Sequence, residues 1–98
     1  MTHKSRLGNI VIDCRPKVVT PAADVQIVIQ QVRHESRAHL DIETDSIDSE
    51  VARLETRGAA VTSRKKEWVV MRAPTGHGFC VGKPYRAGFH EKANVWDR

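Results

Sequence analysis

Three residues able to exchange protons or hold cations alternate in one short stretch: His39, Asp41 and Glu43. Ala38, Leu40 and Ile42 stand between them. A period of two is that of a β-strand, which sends the two sets to opposite faces. His39, Asp41 and Glu43 therefore share a face, which lines either a polar cavity or solvent. Cys14 and Cys80 lie far apart and form neither a CxxC pair nor a zinc-finger spacing, so the default role of each is a small buried hydrophobe. His39 with Cys80 would make a base–nucleophile pair, but no third group is positioned to orient the base, and thiol catalysis is not expected. Trp68 reads as a core residue ahead of a stacking platform. His77, in the Pro-Thr-Gly-His-Gly turn, reads as an exposed polar residue.

These side chains need a scaffold. Residues 7–14 (LGNIVIDC) and 25–32 (VQIVIQQV) are rich in β-branched residues and read as strands. Pro16 and Pro21 make 15–24 a loop or reduced connection, and 33–37 reads as a polar turn. Residues 38–43 form a third strand. After the cap candidates Thr44, Asp45 and Ser46, Ile47, Val51 and Leu54 recur at helical spacing, with Asp48 and Glu50 in the first turn and Gly58 just past the end. This predicts a helix over 47–57. Strands follow at 59–62, 67–72 and 79–81, the last two joined by a turn at 73–78. Residues 85–98 show no clear period and read as an arm or short helix.

The whole chain has 98 residues, enough for one small core. Its 40% hydrophobic and 29% charged residues exclude collagen, coiled coil and wholesale disorder. With only 5% aromatics, the core must rest on Val, Ile, Leu and Ala. No apolar run approaches the roughly 20 residues of a membrane helix, and no signal-like stretch follows the basic start. The expectation is a cytoplasmic protein with no membrane partner. The net charge is +4, but the basic residues are dispersed. The one tight cluster, Arg64-Lys65-Lys66, reads as a solvated turn, so nucleic acid is not an expected partner.

The order from residue 38 carries a resemblance. His39-Leu40-Asp41-Ile42-Glu43-Thr44-Asp45, the helix around Ser49-Glu50-Val51-Ala52-Arg53-Leu54-Glu55, Gly58-Ala59, Trp68-Val69-Val70-Met71 and the run from Ala73 to Val81 together resemble the second βαβββ module of glyoxalase-like proteins. These belong to the vicinal oxygen chelate superfamily, with glyoxalase I, bleomycin-resistance proteins and extradiol dioxygenases. The opening strand at 7–14 resembles that family's first strand. The resemblance implies an α+β fold: a complete βαβββ module at 38–84, a reduced first module at 7–37 and a tail at 85–98. One 1–98 domain would hold a curved mixed sheet and one main helix.

In the family two modules enclose a cavity that holds a small ligand and, in the enzymes, a divalent metal. The family's metal ligands align with Asn9, Gln30, His39 and Cys80. Two neutral amides and a thiol then replace carboxylates, so no cofactor and no tightly bound metal are expected. What the resemblance implies is a non-catalytic protein binding an unknown small molecule through His39, Asp41, Glu43, Cys80 and Trp68. The alternative is a metal-dependent lyase, isomerase or dioxygenase. A homodimer is expected, because 25–32 is apolar on both faces and would otherwise leave an open edge.

Overall fold

A computed structural model describes residues 2–14, 18–19, 26–31 and 37–97. Among the described residues eight strands and two helices run in the order β1 (Thr2–Cys14), β2 (Val18–Val19), β3 (Gln26–Gln31), β4 (Arg37–Thr44), α1 (Ile47–Thr56), β5 (Ala60–Arg64), β6 (Trp68–Arg72), β7 (Gly78–Gly82), α2 (Phe89–Lys92) and β8 (Asn94–Asp97). They form one open, curved mixed sheet in the order β2-β3-β1-β4-β7-β6-β5, with β8 added to β1. The α+β architecture is as expected.

The βαβββ unit is β4-α1-β5-β6-β7. Its first and last strands, β4 and β7, lie side by side and parallel, and β6 and β5 follow antiparallel. Upstream, β1 lies parallel to β3, and β2 antiparallel to β3. The pair β1–β3 thus stands as β4 stands to β7. Val18–Val19 pairs within a stretch whose prolines read as loop, since two β-branched residues suffice for a short edge strand. The remainder of the expected connection at 15–24, and most of the turn at 33–37, lie outside the described residues, and with them the shortening of the first module.

At both ends of the chain the strands extend beyond the sequence reading. β1 begins at Thr2, not Leu7, because β8 pairs with residues 2–5. Every second residue of that polar start, His3 and Ser5, is buried. One long strand therefore pairs with β4 along one edge and with β8 and then β3 along the other.

Helix α1 starts where the Ser46 side chain accepts the Ser49 N–H, at 3.4 Å. It ends at Gly58, whose φ of 97° suits glycine. There Gly58 N–H donates to the Glu55 carbonyl and Ala59 N–H to that of Leu54, at 3.0 and 3.1 Å. The helix packs on Val69, Met71, Phe79 and Val81 through buried Val51, with Ile47 and Leu54 partly buried beside it. This core occupies one face of the sheet. Strand alternation sends His39, Asp41 and Cys80 to the other.

Glu50 was read as a first-turn residue complementing the helix dipole, yet its side chain is fully buried. It meets His3 Nε2 at 2.7 Å, and Arg53 donates to both of its oxygens at 2.8 and 2.9 Å. Burial alone would raise the Glu50 pKa. The hydrogen bonds of Arg53, His3 and Ser5 outweigh it and hold the carboxyl below its ordinary value of 4.5. A depressed carboxylate stabilises the fold fully above that value and loses its contribution as pH falls through the folded-state value. We expect the stability gap between wild type and Glu50→Gln, read from urea midpoints, to be widest near neutrality and to shrink steadily below pH 4.5. A gap that does not change with pH would refute this assignment.

Candidate functional site

A cleft of about 420 Å³ opens on the sheet face away from α1. Strand β4 supplies His39 and Asp41, β7 supplies Cys80 and β6 supplies Trp68. The parallel register sets Asp41 beside Cys80. His39, two residues earlier, shares their face, with its Nε2 3.4 Å from Asp41 Oδ1. The ligand atoms of His39, Asp41 and Cys80 all lie within 4.8 Å of one another. Burial, reinforced by the Asp41 charge, pushes the Cys80 thiol up from its ordinary value, so it stands protonated at neutral pH. At the rim, Lys83 Nζ lies 3.2 Å from Glu67 Oε2.

Trp68 is 44% exposed, so it is a cleft wall and not the core residue it resembled. Strand β6 starts at this residue, which shows half of its surface while Val69 beneath it fills the core. A second aromatic of the cleft lining, Tyr85, was passed over because the tail has no period. About half of Tyr85 is exposed, and its hydroxyl lies against β1 at Gly8. Burial there, with Asp41 and Glu43 nearby, holds the phenol well above its ordinary pKa, as a hydrogen-bond donor.

Glu43 shares the His39–Asp41 face but does not line the cleft. It is fully buried, paired with the Arg6 guanidinium. Its Oε2 accepts the backbone N–H groups of Tyr85 and Arg86 at 2.7 and 2.9 Å. Arg6 also donates to the carbonyls of Arg86 and Ala87 at 3.0 and 3.2 Å. Glu43 therefore anchors the segment that carries Tyr85.

Of the donors aligned from the family, His39 and Cys80 line the cleft. The register puts Asn9 opposite Asp41 and Gln26, and Gln30 opposite Asp13, four residues further along. The side chains of Asn9 and Gln30, like that of Cys14, lie outside the described residues. One imidazole, one carboxylate and one thiol do not fit a hard, oxygen-preferring ion. His77 is exposed in its turn, 3.0 Å from the Thr75 hydroxyl through Nδ1. The Arg64-Lys65-Lys66 run is exposed where β5 turns into β6. Among the described residues no helix is long and apolar enough to cross a membrane.

A protein-family model described as Glyoxalase-like domain matches residues 4–82. A search of curated proteins gave no match.

Proposed function

The chain belongs to the glyoxalase-like domain family, and on that premise we propose that it binds a small molecule in the β4–β6–β7 cleft without catalysing a reaction. One observation carries this reading: two large, exposed aromatics, Trp68 and Tyr85, line one cleft together with His39, Asp41 and Cys80. Exposed aromatic walls over a few convergent polar groups are what a ligand pocket offers. The reading includes no cofactor and no tightly held metal. Its setting is the cytoplasm, where a free thiol in the cleft stays reduced.

The reading is tested by saturation-transfer NMR with a panel of monocyclic and bicyclic aromatic fragments. Fragments should bind the wild type, shift the Trp68 indole N–H signal, and lose most of their signal with Trp68→Ala or Tyr85→Ala. Fragments that bind both variants as well as wild type would refute the site.

A second reading, a metal-dependent lyase, isomerase or dioxygenase, draws on the His39–Asp41–Cys80 cluster. It ranks lower because the single carboxylate is a poor basis for hard-metal chemistry. We also propose a homodimer. The expected open edge at 25–32 is not there, since β3 lies between β1 and β2; the sheet ends instead in the two-residue strand β2, whose outer edge pairs with nothing among the described residues, and a second copy would close that edge. Sedimentation equilibrium at micromolar concentration should give about twice 11.0 kDa. A clean monomer would exclude the dimer.

A further inference from the structure

Resting on the β4–β6–β7 cleft as a small-molecule site, we infer that its ligand is an organic cation: a protonated or quaternary amine on a flat apolar body. The ligand's charge is set by the rings and carboxylates around the cleft.

Trp68 and Tyr85, 44% and 52% exposed, line the same cleft as Asp41. An aromatic ring is negative on its face and attracts a cation there, the indole of Trp most strongly. A carboxylate in the same cleft gives that cation a second partner. The Asp41 side chain is 26% exposed, so a ligand can reach it. It is also sheltered enough that salt screens its charge less than that of an open surface residue. An apolar body between the ring walls suits a cleft of about 420 Å³.

The cations nearby do not reverse the sign. At the rim Lys83 faces Glu67, and behind the Tyr85 wall Arg6 faces Glu43. Arg86 donates to the Gly8 carbonyl. His39 stands 3.4 Å from Asp41 and adds a positive charge only when protonated. Two groups of the cleft register the resulting field. At the Tyr85 phenol the charges of Asp41 and Glu43 outweigh those of Arg86 and Arg6, and with burial they hold the proton on. The Cys80 thiol is pushed up by burial and by Asp41. A carboxylate or phosphate ligand would meet a field of its own sign, and an amine the opposite one. The chain's net charge of +4 is dispersed, and salt screens it beyond about 10 Å. The cleft's own charges therefore decide.

The test is an NMR titration of the full chain at neutral pH with three probes of one shape: naphthylmethylamine, naphthylmethanol and naphthylacetate. The shift of the Trp68 indole N–H gives each dissociation constant. The amine should bind roughly tenfold tighter than the alcohol, and the acetate weakest of the three. Asp41→Asn, checked for folding by circular dichroism, should bring the amine-to-alcohol ratio close to one, and Asp41→Glu should keep a preference for the amine. Trp68→Leu retains an apolar wall without the ring face and should cut the preference severalfold. Alcohol or acetate binding as tightly as the amine would overturn the cation and leave the cleft a small-molecule site. Failure of all three probes to bind would overturn both. A preference for the amine undiminished in Asp41→Asn would also overturn the assignment, since the carboxylate would then play no part in it.

Discussion

Replacing Glu43 with glutamine should destabilise the protein by about 3–5 kcal/mol, the usual cost of removing one partner from a buried ion pair. Two terms add. Arg6, only 8% exposed, is left charged without its counter-ion. The N–H groups of Tyr85 and Arg86 lose half of the acceptor set they share with that cation. A double change of Arg6→Met with Glu43→Leu separates the terms. It removes both charges and should recover part of the loss, while the backbone groups of 85–87 still lack partners. Urea denaturation of the three variants measures this. A Glu43→Gln protein as stable as wild type would show that the pair contributes nothing to the fold.

Gly8→Ala should cost about 1–3 kcal/mol, as overpacking of a filled site does, and should also disturb the cleft. A Cβ at Gly8 would stand 2.6 Å from the Tyr85 hydroxyl oxygen and 2.8 Å from Glu43 Cγ. Tyr85 can swing outward, whereas Glu43 is held by Arg6 and two backbone N–H groups. The alanine therefore displaces Tyr85 first and strains Glu43 second. Adding Tyr85→Phe to Gly8→Ala removes the closer contact and should restore part of the stability. Unchanged denaturation midpoints in Gly8→Ala, with fragment binding intact, would count against this close approach.

The two variants mark where sequence reasoning stopped. Period two and period 3.6 placed β4, α1, β6 and β7, because each has a buried face and an open one. Two of the cleft residues, His39 and Asp41, followed from that alternation, and Trp68 followed from its strand with the wrong face assigned. The pairs Arg6–Glu43 and His3–Glu50 were illegible, since partners 37 and 47 residues apart leave no local pattern. A charge read alone defaults to solvent. Tyr85 was missed because irregular backbone held by Glu43 has no period to detect. Gly8 did carry a signal: a lone glycine inside a strand marks a bulge or a close approach. The register does shift between Leu7 and Asn9.

The pairing of β1 with β8 also has a temporal side. Thr2 meets Asp97 and Ser5 meets Asn94, so the first and last described residues of the chain are hydrogen-bonded neighbours. The βαβββ unit closes over short spans of chain, but this pairing spans nearly the full length, and the entropy of closing a loop grows with that length. Topology of this kind orders events, with local pairings early and end-to-end pairings late. The wall bearing Tyr85 lies in the stretch that leads into β8. Its half of the cleft is therefore expected to assemble last, after the floor of His39, Asp41 and Cys80 is in place.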